Sequence, residues 1–211
     1  VIRKYGLNVE FSKQALAEAE EVAGRSTGLD SDKRDDFRGW TIFTIDGENA
    51  QDFDDAVSIR KLLNGRLLLG VHIADVSHYV RPGTALDKDA ERRATSVYLP
   101  DRTLPMLPEK LSNDLCSLRP RETKLTFSVV LEVDPSGRVV KAEFHPSLIK
   151  TAARMTYTSV FNIFNQDQEE VRKHARLVPE FLLMREVASL LRTRREAAGS
   201  LNFDLLEPEL V

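Results

Sequence analysis

Cysteine is almost missing from this chain: Cys116 is the single thiol among 211 residues. One thiol closes no internal disulfide, and no disulfide-linked partner is expected. Its surroundings, Leu115-Cys116-Ser117-Leu118, predict a buried structural thiol rather than a nucleophile. Long apolar runs are missing too. None approaches the roughly 20 residues of a bilayer span, and the first residues lack the pattern of a signal peptide. No membrane contact and a cytoplasmic location are therefore expected. There is no excess of positive charge: 30 Lys and Arg face 33 Asp and Glu, for a net charge of −3. That argues against a generic DNA-coating protein, which is usually basic. It leaves room for acids gathered at a metal site. No internal repeat, low-complexity tract or initiator Met is present, and Val1 begins abruptly, so the chain is expected to be a piece of something longer.

What is present is an ordinary globular composition, 42% hydrophobic and 30% charged, enough for a core. Its most unusual stretch is Thr41 to Arg60, TIFTIDGENAQDFDDAVSIR. A β-branched apolar run, Thr41 to Ile45, leads into four carboxylates, Asp46, Asp52, Asp54 and Asp55, and a second strand-like run follows from Ala56 to Ile59. Unit charges about 4 Å apart repel by about 4 kcal/mol at an effective dielectric near 20. If these side chains converge, a cation must sit among them. Only hard oxygen donors are on offer, which suits Mg²⁺ or Mn²⁺. Asp-rich segments are more commonly solvated loops, but Phe53 and Ala56 embedded among the acids suggest a loop packed onto a core. A calcium loop needs Gly at its sixth position and Glu at its twelfth. Counted from Asp46 those positions are Gln51 and Val57, and the pattern fails. Asp54 and Asp55 are adjacent, so an extended backbone points them to opposite sides. His72, Asp75 and His78 could form a facial triad for iron, but His72 lies inside an apolar strand, where a satisfied core histidine is commoner.

The rest of the chain reads as strands and helices in alternating blocks. Residues 11–23 predict a helix with Ser12 as N-cap, Gly24 as stop and Leu16, Ala19, Val22 and Ala23 as its stripe. Residues 25–39 predict a polar loop whose acids Asp30, Asp32, Asp35 and Asp36 are solvated, with Trp40 anchoring the next strand. Residues 56–63 and 66–74 predict a hairpin about Asn64-Gly65 in a type I′ turn, with Leu67 to Ile73 as a central strand. Leu86 to Thr95 predicts a short charged helix. Residues 125–133 and 138–145 predict a second hairpin about Asp134-Pro135-Ser136-Gly137, with Phe127, Val129, Leu131 and Val133 as one sheet face. Tyr157 to Phe164 predicts a helix capped by Thr156. Pro179 to Ala198 predicts another, with Phe181, Met184, Val187 or Ala188, and Leu191 as its stripe and Gly199 after it. Arg192, Arg194 and Arg195 near its end complement the helix dipole. The fold class expected is α+β: a mixed, largely antiparallel sheet with packed helices. Residues 1–40 are expected to form a lead-in segment and 41–211 the body of the domain.

The run Thr44-Ile45-Asp46-Gly47-Glu48-Asn49-Ala50-Gln51-Asp52-Phe53-Asp54-Asp55-Ala56 resembles the signature of the RNB family of exoribonucleases, the ribonuclease II and ribonuclease R group. The resemblance continues, in order, through Ile73 to Val80, Thr95 to Pro100, Pro105 to Pro108, Leu111 to Asn113, Leu115 to Leu118, and Arg154 to Thr158. It covers nearly the whole chain but only about the first half of the family's catalytic domain, with the ribonuclease R branch the most similar. It implies processive 3′→5′ hydrolysis of single-stranded RNA to nucleoside 5′-monophosphates through two Mg²⁺ ions. By the same resemblance Asp46, Asp52, Asp54 and Asp55 are the ligand set or its immediate support. Tyr98 matches a tyrosine that stacks near the 3′ nucleotide, Tyr157 an aromatic that senses the 2′-hydroxyl, and Phe203 a residue that clamps bases. The Arg-rich segment that supplies positive charge in the family's second half, and the flanking cold-shock and S1-type domains, do not occur here. The isolated chain is expected to be inactive or nearly so. The alternative expectation is a non-catalytic metal- or RNA-binding module.

Overall fold

The computed structural model describes residues 1–25 and 31–201. Nine strands and seven α-helices are assigned there: α1 (Ile2–Tyr5), α2 (Lys13–Arg25), β1 (Asp35–Asp36), β2 (Ile42–Asp46), β3 (Asp55–Lys61), β4 (Leu67–Ala74), α3 (Val76–Tyr79), α4 (Ala85–Arg93), β5 (Val97–Tyr98), β6 (Thr103–Leu104), β7 (Thr123–Val133), β8 (Val139–Lys150), β9 (Ala153–Thr156), α5 (Tyr157–Phe164), α6 (Gln168–Lys173) and α7 (Val178–Ala197). Seven strands form one sheet in the order β1-β8-β7-β4-β3-β2-β9, and β5 pairs with β6 apart from it. The four internal pairings are antiparallel, while the edge strands β1 and β9 lie parallel to β8 and β2. The expected mixed, largely antiparallel α+β sheet is what forms.

Both hairpins fall where turn chemistry puts them, and the first has a different turn from the type I′ expected. Gly65 has φ 80°, its N–H donates to Leu62 O at 3.0 Å, and Asn64 keeps a negative φ. A type I′ turn needs positive φ at both central residues. The geometry is instead a type I turn closed by a left-handed glycine, a bulge that suits a three-residue loop. Gly137 repeats it, with φ 75° and a bond to Asp134 O. Helix starts also follow local chemistry. Ser12 Oγ accepts from Ala15 N, Thr84 Oγ1 from Asp87 N, and Thr156 Oγ1 from Ser159 N, each satisfying an N–H that the helix itself cannot.

Helices cover both faces. Ala15 and Ala19 of α2 and Leu86 of α4 are buried with Ile42, Ala56 and Ala74 of the sheet, so α2, together with Phe37 and Trp40, shares the core. The stripe of α2 is rotated from that expected: Leu16 is exposed and Ala15 buried. On the other face Phe43 packs edge-on against Phe181 of α7, with ring centroids 4.8 Å apart. Val187 of α7 packs with Ile59, Leu67 and Val133. The predicted inward face of β7 fails at one end. Phe127 is exposed, while Thr126 and Ser128 are buried.

The burial of those small polar residues has a cause at the centre of the sheet. His72, fully buried on β4, bonds Ser58 Oγ through Nε2 at 3.0 Å and Ser128 Oγ through Nδ1 at 2.7 Å. Ser147 extends the chain to Ser128 (2.6 Å) and Thr126 (2.8 Å). A Cβ at Gly70 would collide with Ser58 Oγ and His72 Nε2, so glycine is required beneath this network. The histidine is a satisfied core residue, as expected from its strand.

Burial lowers the His72 pKa from 6.5 to about 4. The unfolded chain therefore binds more protons between those values, and stability rises with pH across that window. Acidification from about pH 6.5 to 4 should remove on the order of 3 kcal/mol through this group. Urea midpoints measured from pH 7 to 5 should fall more steeply for the wild type than for His72→Asn. Equal slopes would remove His72 from the account.

Candidate active site

The acidic residues meet at one end of the sheet because of strand direction. Asp46 ends β2 and Asp55 begins the antiparallel β3, so both sit at the same edge, with residues 47–54 looping between them. That loop is fastened to its surroundings through the backbone. Phe53 N donates to Ser117 Oγ (3.2 Å), Ser117 Oγ donates to Gln51 O (3.0 Å), Leu118 N to Phe53 O (2.8 Å) and Ala74 N to Asp54 O (2.9 Å). The apolar run around Cys116 thus serves as the loop's bracket. Cys116 itself is buried and its thiol is pushed up to about 12 by burial, which leaves it inert as a nucleophile.

Electrostatics mark two of the four, Asp46 and Asp54. Asp46 is shifted up, first by burial and then by Asp55 and Asp52, with the Thr44 hydroxyl and Arg154 opposing. Asp54 is shifted up by loss of solvent, then by Asp52, Asp55 and Asp46. Asp54 lies at the surface, so water screens its neighbours more than it does at Asp46. Asp46 Oδ2 is buried without a hydrogen bond of full geometry. A buried carboxylate oxygen normally has a partner, and a hard cation is one whose chemistry suits it. Among the described residues, however, no three His, Cys, Asp or Glu side chains are drawn together closely enough to enclose an ion. The donors fit a hard divalent cation; the side chains as placed do not already surround one.

The expected aromatic residues divide. Tyr98, on β5, is 69% exposed and its hydroxyl donates to Asp52 Oδ2 at 3.3 Å. It lines an open groove of about 550 Å³ with Asp52, Thr103, Pro105 and Asn113. Tyr157 begins α5 directly after Thr156, the register partner of Asp46 on the neighbouring strand, and is 66% exposed. Phe161, one turn later on α5, is also exposed and was not anticipated. Phe203 lies outside the described residues. A larger concavity, about 710 Å³, sits at the opposite end of the sheet, where the β7–β8 turn meets the last turns of α7, and its lining includes Arg138, Arg192, Arg194 and Arg195 but no carboxylate.

The facial-triad alternative fails in the structure. His72 is sealed in the core network, and Asp75 is committed to Arg34 at 2.6 Å and to capping α3 through His78 N. That pair also revises the reading of residues 25–39 as a solvated loop. Asp35 and Asp36 are exposed, but they form a short strand, and Arg34 is nearly buried. Two residues carry more than the sequence suggested. Ser117 pins the acidic loop, and Arg154 donates to Gly47 O and Glu48 O beside Asp46. Both stand within motifs quoted for the resemblance, but nothing local signals their partners.

Residues 34–211 match the RNB domain family. Among curated relatives, the chain is 43% identical over 206 residues to ribonuclease R 2 of Lactococcus lactis, covering 96% of this chain and 31% of that protein. It is 46% identical over 192 residues to ribonuclease R of Thermotoga maritima, covering 91% of this chain and 27% of that one. The chain thus spans less than a third of the length of these two relatives. Among solved structures, Mycoplasma genitalium RNase R in complex with ribose-methylated single-stranded RNA superposes with a TM-score of 0.83 at 25% identity, over 95% of this chain and 31% of that one. Nearly the whole sheet-and-helix body, acidic loop included, lies within the matched region, and the chain belongs to the RNB domain family.

Proposed function

We propose that this chain carries the acidic half of the active site of a hydrolytic 3′→5′ exoribonuclease acting processively on single-stranded RNA and releasing nucleoside 5′-monophosphates. The observation that carries the reading is the placement of Asp46, Asp52, Asp54 and Asp55 along one loop at one sheet end, with a buried Asp46 oxygen that lacks a hydrogen bond of full geometry and an exposed Tyr98 bonded to Asp52. The names of the similar proteins support it.

Asp46, Asp52, Asp54 and Asp55 would hold Mg²⁺, or Mn²⁺ in its place. The chemistry a bound divalent cation supplies there is a more acidic water and positive charge beside the cleaved phosphate. The chain's own groups do the rest of the work available to them. Tyr98 offers a ring face to a base whatever its identity, which holds RNA without reading its sequence. Its hydroxyl, bonded to Asp52, fixes that ring relative to the acids. Tyr157, at the head of α5 beside the strand end that bears Asp46, would by the family resemblance meet a ribose 2′-hydroxyl, the group that separates RNA from DNA. Phe203 is proposed as a third RNA contact on resemblance alone. The flanking RNA-binding domains of the family, and a cytoplasmic setting, belong to the same proposal.

A second reading has one observation in its favour: no three acids already converge. In it the chain binds metal or RNA without turnover. A nuclease assay with Mg²⁺ on a 5′-labelled oligonucleotide, run on this chain and on the full-length protein, separates the two. Activity in neither removes the enzymatic reading; activity in the full-length protein alone makes the chain a necessary but insufficient part.

In the full-length protein, Asp54→Asn should leave RNA affinity nearly intact and abolish cleavage, because it keeps shape while removing charge where charge develops. Retention of more than about a tenth of the turnover, a barrier change of only about 1.4 kcal/mol, would contradict a catalytic role for Asp54.

Tyr98→Ala should change the length of the final oligonucleotide product. Base–aromatic stacking contributes about 1–3 kcal/mol per base, so short RNAs should dissociate earlier or seat differently. An unchanged product ladder together with unchanged affinity for short RNA would make Tyr98 a bystander.

A further inference from the structure

Arg154 is the described cation most closely tied to the acidic loop. It stands on β9, in register with Thr44 of the parallel β2, two residues before Asp46 on that strand. From there its guanidinium passes the strand end. Nη2 donates to Gly47 O at 2.5 Å and to Glu48 O at 2.9 Å, spanning 107 and 106 residues of sequence. The guanidinium carbon also lies 5.6 Å from the centre of the Phe53 ring. One side chain therefore touches both parts of the loop: the segment leaving Asp46 and the segment carrying Asp52, Phe53 and Asp54.

Other contacts make the arrangement stiff on the far side. Phe53 is held at N and O by Ser117 and Leu118. Glu48 is held in its charged form by the Thr156 and Thr158 hydroxyls at the β9–α5 junction. A bond from Ala50 N to Gly47 O at 3.2 Å also holds the segment that leaves β2, and Arg154 is the side chain that joins that segment to the Phe53 anchor. Both carbonyls are met by the single nitrogen Nη2 while the rest of the delocalised cation lies over the Phe53 ring, a combination that a compact ammonium does not reproduce. Its charge also acts on Asp46, where it offsets part of the repulsion from Asp55 and Asp52 before any cation arrives.

We propose that Arg154 is a positioning residue: it clamps the carbonyls of Gly47 and Glu48 against the Phe53 ring and so holds Asp46 in fixed relation to Asp52, Asp54 and Asp55. The ion-binding consequence rests on the metal reading given above; the clamp itself does not. Arg154 touches neither substrate nor reacting atoms in this role.

Two measurements test it on the same proteins, wild type, Arg154→Ala and Arg154→Lys. The first is amide hydrogen exchange of residues 47–54 without metal. Arg154→Ala should speed exchange there several-fold while α7 keeps its protection, and Arg154→Lys should fall between. The second is Mn²⁺ binding by calorimetry without RNA. Loss of an outer partner of metal ligands typically weakens affinity 10–100-fold, and Arg154→Ala should show about that loss, with the lysine variant partly restored. Unchanged exchange in 47–54 overturns the clamp. Faster exchange with unchanged or tighter Mn²⁺ binding overturns its bearing on the ligands, and leaves only charge repulsion between Arg154 and the ion. Wild type that takes up no Mn²⁺ sinks the metal reading instead, and the exchange arm alone then decides the clamp. Should Arg154→Ala fail to fold, the lysine variant carries both arms.

Discussion

Four carboxylates at one sheet end repel one another, and most of what surrounds them serves to hold them there regardless. Left to itself, a loop of this charge would spread into water, where its acids are screened and independent. The sheet prevents that by fixing Asp46 and Asp55 as the last and first residues of neighbouring antiparallel strands. The loop between them is then tied down by main-chain bonds to Ser117, Leu118 and Ala74 and by the Arg154 guanidinium. The result is a pair of acids, Asp46 and Asp54, whose charged forms are disfavoured first by burial and then by their acidic neighbours. Perturbation of that kind, at an open edge rather than inside a core, is what functional carboxylates have in common.

Holding such a loop requires a rigid floor, and the floor has its own polar spine. The chain of Ser58, His72, Ser128, Ser147 and Thr126 crosses β3, β4, β7 and β8 inside the sheet. Every member is buried and bonded, so the network carries no orphaned group of its own. A register slip by one residue would turn these side chains to the opposite face and leave them without partners. The network therefore fixes how β3 and β4 align, and through them where Asp55 emerges.

Around this edge the surface is divided by chemistry. Beside the acids, Tyr98, Asn113 and Thr103 line a groove with one aromatic face and several polar groups. The arginine-lined concavity stands at the other end of the strands, beside the turn of the second hairpin. Negative charge and an aromatic wall at one end, positive charge at the other, are compatible with a net charge of only −3. Whole-chain charge consequently said little about partners, whereas the local distribution says a good deal.

The chain's local sequence determined its turns, caps and strand boundaries, because each depends on residues a few positions apart. Asn64-Gly65 and Asp134 to Gly137 specify bends through left-handed glycines, and Ser12 and Thr156 cap helices through their own hydroxyls. The acidic stretch and its flanking motifs were also legible, and with them the family. What the sequence could not show is which distant groups answer one another. Arg34 reaches Asp75 across 41 residues, Ser117 reaches Phe53 across 64, and Arg154 reaches Gly47 across 107. None of these pairs follows a period of 2 or 3.6, so none leaves a pattern in the chain. Likewise Phe127 alternates correctly for an inward face, yet stands exposed while Ser128 is buried. Alternation tells which residues share a face, but only the packing of helices onto the sheet decides which face is covered, and where that cover stops.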